Sequence, residues 1–342
     1  MARKAIAQEI SNSETSDLSV TVIICTYNSL STLKPLLNQV LEQQYEAFEC
    51  IVVDDGSSDG TADYLVKLGH SHSNLKILYQ DPSSKTLTGK KEALEKGILA
   101  ASGEIILLTD ADCVIPSRNW ISGMLKPFNN KTDVVLGFAP LRPAETTASS
   151  MSSLESLLTA MQYGAYATAG MPYMGVGRNM AYRRSLIKGN SPFALHKDIP
   201  SGDDDLFIRD QSPEVKMGIT TDGDSLVYSY SPTTWSGWYS QKSRHVQTSL
   251  KYKFRHQIIL SLFALSHLLI YLIVLLGFIC GYVIPAFAAL VIRWLVLFLP
   301  YQNWAQLIKF GPGWKLYPFF DLFLSLYYII LFPGLFFKRK TW

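Results

Sequence analysis

Three groups of carboxylates fall at widening intervals along the first two thirds of the chain: Asp54-Asp55, Asp110-Ala111-Asp112 and Asp203-Asp204-Asp205. A fourth motif, Gln241-Lys242-Ser243-Arg244-His245, adds cations just before an apolar tail. In ILLTDADC, residues 106–113, an apolar run delivers two carboxylates separated by one residue. Hard oxygen ligands of this kind suit Mg²⁺ or Mn²⁺, which neutralise the charge that develops on a diphosphate as it leaves. Asp112 is the expected metal ligand, with Asp110 beside it on the metal or a ribose; a plain strand-end turn would use the same residues.

In GDDDLF, residues 202–207, three adjacent carboxylates repel one another, which raises a pKa and suits one of them to take the proton of an acceptor hydroxyl. Asp is equally at home at a helix start. In VVDDGSSDGT, residues 52–61, Asp54 or Asp55 would accept hydrogen bonds from a nucleobase, while Asp59 and Thr61 read as helix caps. The Arg244 guanidinium would grip phosphate oxygens, and Gln241 or a nearby Trp would meet the acceptor. Trp235 and Trp238 followed by cations also fit a membrane-interface belt.

These residues need a frame that brings loop ends together. Apolar, β-rich runs occur at 20–25, 48–53, 75–79, 104–109 and 134–138, with helical patterns at 33–41, 62–68, 90–101 and 120–128 between them. Strands alternating with helices predict a mostly parallel, Rossmann-like α/β sheet with helices on both faces. Such sheets bind ligands at strand C-termini, where Thr26-Tyr27-Asn28, Asp54-Asp55 and Asp110-Asp112 all fall. The stretches 151–161 and 164–176 read as a flexible, apolar loop region, and 177–184 as a wall with Arg178 and Asn179 as polar contacts or as a helix-forming stretch.

Of the 342 residues, 48% are hydrophobic and 17% charged, and the apolarity is concentrated in the tail. The run 257–280 carries no formal charge and is long enough to cross a bilayer at about 20 residues per span. The runs 282–300, with Arg293, and 316–337, with Asp321, are spans, re-entrant hairpins or interfacial helices. Lys242, Arg244, Lys251, Lys253 and Arg255 precede the first run, which by the positive-inside rule puts the large domain in the cytoplasm, resting on membrane lipid. The division expected is a polar segment 1–18, a catalytic domain 19–240, a basic amphipathic interfacial segment 241–256 and a region 257–342 with two or three transmembrane helices. Three crossings would leave Lys338-Arg339-Lys340 outside, against the same rule. The N-terminus lacks the apolar core of a signal peptide, and the four scattered cysteines suggest no chemistry.

Taken as a set, VTVIICTYN, VVDDGSSDGT, the segment 89–104, TDADC, GRNMAYRR, GDDDLF and QKSRH resemble the family-2 inverting glycosyltransferases of GT-A fold, over residues 20 to about 250. The resemblance implies nucleotide contacts from Asp54 and Asp55, with Thr26, Tyr27 and Arg178 also lining the donor site. It places Lys90 or Lys91 near the diphosphate and a divalent metal on Asp110 and Asp112. Asp204, after Asp203, would be the base for in-line displacement. Gln241 and Arg244 match the Gln-x-x-Arg-Trp motif of membrane-embedded members, but His245 replaces the Trp, which weakens a processive reading.

The expected function is therefore a membrane-anchored, multi-pass inverting glycosyltransferase. It would move a sugar from a UDP- or GDP-sugar to a lipid-linked or glycan acceptor, with an export or assembly partner and no nucleic acid. The alternative is a catalytically silent nucleotide-sugar or lipid-binding subunit of an export complex. A nucleotidyltransferase would carry a Gly-rich phosphate loop after the first strand, and CTYNSLST has no glycine.

Overall fold

The computed structural model describes residues 18–81, 83, 86–87, 89–187, 193, 202–211, 215–307 and 317–331. The polar N-terminus and the basic Lys338-Arg339-Lys340 expected above lie outside these. The chain divides into two units, one holding Tyr163–Ser229 with the chain up to Ala139, the other holding Pro140–Gln162 with the chain from Tyr230 onward.

The first unit is built on a seven-stranded sheet. Its strands are β1 (Val20–Thr26), β2 (Phe48–Asp54), β3 (Leu75–Tyr79), β4 (Ile105–Asp110), β5 (Val134–Leu136), β7 (Met180–Arg183) and β8 (Met217–Ile219), in the order β3-β2-β1-β4-β7-β5-β8. The short β6 (Leu141–Arg142) and β9 (Ser229–Tyr230) form a separate two-stranded sheet. β1 pairs in parallel with β2 and β4, and β2 with β3, so that Thr26, Asp54 and Tyr79 end level with one another. β7 runs antiparallel between β4 and β5.

The β-branched residues of β1 and β2 are buried on both faces, as a parallel sheet covered by helices requires. Helices α1 (Leu30–Leu41), α2 (Thr61–Gly69), α3 (Lys91–Ala100), α4 (Trp120–Leu125) and α6 (Asp205–Gln211) follow in this unit. α1 buries Leu33, Leu36, Leu37 and Val40 at helical spacing against a core that includes Val22, Ile24, Val52 and Leu107. At Gly103 a Cβ would stand 2.6 Å from the Thr21 backbone nitrogen, so the turn into β4 admits only glycine at that approach.

The expected flexible region after β5 is instead helix α5 (Thr147–Thr168), and the expected wall at 177–184 contains strand β7. Polar Ser and Thr residues masked the periodicity of α5, and a four-residue strand is too short to show any alternation.

In the second unit α7 (Trp235–Ser249) is capped by the Thr234 hydroxyl, which accepts the Gly237 N–H at 3.1 Å. Three apolar helices follow: α8 (Phe254–Ile279), α9 (Val283–Leu307) and α10 (Tyr317–Leu331). α8 and α9 are long and apolar enough to cross a membrane, and only 11% and 6% of their most apolar windows are buried, unlike the core helix of a soluble protein. α10, at 15 residues, is shorter.

Candidate active site

The loops after β1 and β2 are stitched to each other before they meet any ligand. Asn28 adopts a left-handed conformation, φ 48°, which frees its side chain to accept the Ser58 N–H at 2.7 Å while its own N–H donates to Ser57 Oγ at 2.9 Å. Asp59 then serves two helices at once: Oδ2 accepts Leu30 N–H at the start of α1, and Oδ1 accepts Thr61 N–H at the start of α2. Asp54 is buried and turned onto Ser57, whose N–H and hydroxyl both donate to its Oδ1. Asp55 is buried beside it, Thr26 Oγ1 is buried with no hydrogen-bond partner among the described residues, and Tyr27 is 40% exposed on the rim.

The chemistry-bearing groups converge one strand over. Lys90, immediately before α3, sets its ammonium 2.8 Å from Asp110 Oδ1 and 3.0 Å from Asp203 Oδ2. One lysine thus joins the end of β4 to the turn that opens α6. Lys91, the other lysine singled out by sequence, is wholly buried. Asp204 Oδ2 accepts the Gly177 N–H at 2.7 Å, and its Oδ1 accepts the Asp205 N–H at 2.9 Å. Asp112 stands open to solvent, and its Oδ2 accepts the Ser229 hydroxyl at 3.1 Å. The parts played by Gly177 and Ser229 were not read from sequence; Gly177 at least lies in the quoted GRNMAYRR motif, whereas nothing marks Ser229.

Charge is unevenly spread over this cluster. Burial works against ionising Lys90, but Asp110, Asp203 and Asp204 around it outweigh that and hold its pKa well above the usual lysine value. Burial likewise works against ionising Asp110, yet the Lys90 charge and hydrogen bond carry it below the usual carboxylate range. Asp112 is pushed up, first by desolvation from the walls around its open edge and then by the Asp110 charge, with Arg178 opposing. Asp204 is pushed up to about 6 by burial and by Asp203, against Lys90 and the two backbone N–H groups.

Four carboxylates against Lys90 and Arg178 leave an excess of negative charge at the end of β4. The described residues contain no cluster of three or more His, Cys, Asp or Glu arranged to hold a metal. The two oxygen-bearing side chains of Asp110 and Asp112 nevertheless fit Mg²⁺ or Mn²⁺ in the mode in which one or two carboxylates share the ion with substrate phosphates.

Asn179 is a structural residue and not a ligand contact. It is fully buried, its amide donates to the Phe138 and Ser225 carbonyls at 2.9 and 2.8 Å, and its Oδ1 accepts Trp120 Nε1 at 3.0 Å. Asn179→Ala removes the partner of the Ser225 carbonyl and of Trp120 Nε1, while the Phe138 carbonyl keeps the Val227 N–H at 3.3 Å, at about 1–3 kcal/mol for an unsatisfied buried group. Its thermal midpoint is expected to fall by several degrees; a wild-type melt would show that water replaces the amide. Gln241 and Arg244 lie on α7 in the second unit. Between them Lys242 is buried in an ion pair with Glu155 of α5, and Trp238 packs on Phe323 and Tyr327 of α10 at 5.5 and 5.7 Å.

Residues 21–189 match the family model described as glycosyl transferase family 2. A glycosyltransferase, AglE, of Haloferax volcanii is 36% identical over 104 residues, covering 30% of this chain and 33% of that protein. A poly-β-1,6-N-acetyl-D-glucosamine synthase of Staphylococcus aureus is 32% identical over 96 residues, 28% of this chain and 22% of that one. The matches thus span a third or less of these relatives' lengths. Among solved structures, the mannosyltransferase PcManGT of Pyrobaculum calidifontis, in complex with GDP-Man and Mn²⁺, superposes with a TM-score of 0.57 at 21% identity, over 95% of this chain and 92% of that one. With its mostly parallel sheet and its carboxylates at the ends of β2 and β4, the domain that contains residues 21–189 belongs to glycosyl transferase family 2 and has the GT-A fold.

Proposed function

We propose that the chain is a membrane-anchored inverting glycosyltransferase that takes a UDP- or GDP-sugar and delivers the sugar to a lipid-linked or glycan acceptor. The observation that carries this reading is the convergence of Asp110, Asp203 and Lys90, with Asp204 held beside them by Gly177. Both oxygens of Asp204 already accept a backbone N–H, which fixes the carboxylate while leaving lone pairs for an incoming proton. An acceptor hydroxyl gives its proton to Asp204 as its oxygen bonds to the anomeric carbon; the bond from that carbon to the diphosphate breaks, and the nucleoside diphosphate leaves with the electron pair. Attack opposite the leaving group inverts the anomeric configuration.

Asp110 and Asp112 would hold the divalent ion, which when bound neutralises charge on the departing diphosphate. Lys90 supplies a cation on the same side of the site, and Asp54, Asp55, Thr26 and Tyr27 would form the nucleotide end, with Arg178 as a further donor contact. PcManGT, bound to GDP-Man and Mn²⁺, supports this assignment of donor class and metal. The two long, mostly exposed apolar helices support a multi-pass anchor with the catalytic domain on the cytoplasmic side, where the cations between 242 and 253 precede the first span.

Two outcomes test the assignment. Because Asp204 must be ionised to accept a proton and sits at about 6, kcat/KM is expected to fall as pH drops through that value and to level off above it. A flat profile from pH 5 to 8 would remove Asp204 as base. Chelation is expected to abolish transfer, and Asp112→Ala to abolish the recovery that added Mn²⁺ gives the wild type. Undiminished wild-type activity in chelator contradicts the metal assignment.

A further inference from the structure

The bridging position of Lys90 bears on how donor and acceptor steps are ordered. Its ammonium lies within the acidic cluster, shared by Asp110 on β4 and Asp203 at the head of α6, residues that lie 93 positions apart. Asp203 is nearly buried, its side chain 10% exposed, so its charge gains more from Lys90 than from water. A Cβ built on Gly177 would lie 3.6 Å from Lys90 Nζ and 3.4 Å from Asp204 Oδ2, so the ammonium also rests against the turn that holds the base. A diphosphate entering this site would compete with Asp203 for the same cation.

Resting on the transferase reading of the site, we infer that Asp203 is an internal stand-in for the donor's diphosphate: it holds Lys90 while the site is empty and yields it when a nucleoside diphosphate binds. Lys90 is then a donor-binding residue whose partner reports donor occupancy. Release of Asp203 loosens the turn carrying Asp204 only after the donor is in place, so the acceptor-activating carboxylate becomes adjustable at the moment an acceptor can be used. The family assignment by itself requires nothing of this kind, since a lysine serving only the diphosphate would have no reason to be shared with the head of α6.

The test is a double-mutant cycle on the full chain in detergent, read by calorimetric binding of UDP and of GDP with Mn²⁺ present throughout. If Asp203 competes with the diphosphate, Asp203→Asn tightens binding of the preferred nucleotide by roughly fivefold or more, the lower end of ordinary coupling between sites. Lys90→Met weakens binding, and in that background Asp203→Asn has no further effect. Should the asparagine variant fail to fold, Asp203→Ser serves the same purpose. Unchanged or weaker binding in Asp203→Asn overturns the inference while leaving the transferase reading intact, as does tightening that persists in Lys90→Met. Failure of the wild type to bind either nucleotide overturns the inference together with the reading beneath it.

Discussion

Asp204→Asn is expected to lower transfer by about 10²–10⁴-fold, the range for loss of a positioned general base, while leaving nucleoside diphosphate affinity unchanged. The amide keeps the shape of the carboxylate, and its oxygen can still accept the Gly177 N–H that bonds Oδ2 in the wild type at 2.7 Å. The amide NH₂ cannot accept, so the Asp205 N–H that bonds Oδ1 at 2.9 Å loses its acceptor, a loss at the turn that opens α6 and not at the nucleotide end. What disappears is the capacity to take a proton, since an amide oxygen is far too weak a base at neutral pH. Turnover measured beside calorimetric binding separates the two effects. A loss of nucleotide affinity as large as the loss of turnover would show that Asp204 acts on the donor and not on the acceptor hydroxyl.

The second large effect is expected in the apolar helices. Asp321 of α10 is 1% exposed and receives Arg293 Nε and Nη2 of α9, each at 2.8 Å, in a bidentate pair, with the Tyr271 hydroxyl of α8 donating at 2.7 Å. His267 Nε2, also on α8, lies 3.7 Å from the same carboxylate. α10 is about 22 Å long at 1.5 Å per residue, short of an apolar bilayer core of about 30 Å. Polar contacts to its two longer neighbours therefore fix its position more sharply than apolar packing alone would.

Arg293→Met leaves a buried carboxylate without its counter-charge and is expected to destabilise the helical unit by about 3–5 kcal/mol. The double variant Arg293→Met with Asp321→Leu removes both charges and is expected to recover most of that loss, because replacing a buried pair with apolar residues is close to neutral. Thermal unfolding in detergent measures both. Equal destabilisation in the single and double variants would mean that the two side chains contribute by packing and not as a pair.

The parallel half of the sheet was legible because its period is regular. The runs 20–25, 48–53 and 75–79 coincide with β1, β2 and β3 to within a residue, and the helical patterns at 62–68 and 90–101 with α2 and α3. Doubly buried strands are nearly continuous in Val and Ile, and sequence carries that signal directly. The antiparallel insertion of β7 between β4 and β5 was not legible, since Met180–Arg183 is short and its pairing is a matter of topology. Helix α5 was hidden for a different reason: its Ser and Thr hydroxyls bond to backbone, as Ser153 does to the Leu141 carbonyl at 2.6 Å, so polar residues occupy positions that a hydrophobic pattern reserves for apolar ones.

The same distinction separates the parts of the site. The carboxylates of TDADC and GDDDLF declared themselves by type and spacing. Their mutual arrangement did not, because the Lys90–Asp203 contact joins positions 113 residues apart, and the burial that lifts Asp204 depends on walls that no local motif describes. Asn179 shows the converse case, a polar residue inside a functional-looking motif that is used up holding backbone carbonyls together.

The central claim, that these residues transfer a sugar from a nucleotide donor, is tested most directly by supplying detergent-purified protein with a panel of UDP-, GDP- and dTDP-sugars, Mn²⁺ and membrane lipids. The expected result is metal-dependent release of nucleotide from one UDP- or GDP-sugar, with the labelled sugar entering an organic-extractable or polymeric product in inverted configuration. Nucleotide binding with no turnover of any donor would contradict it and leave the chain as a binding subunit.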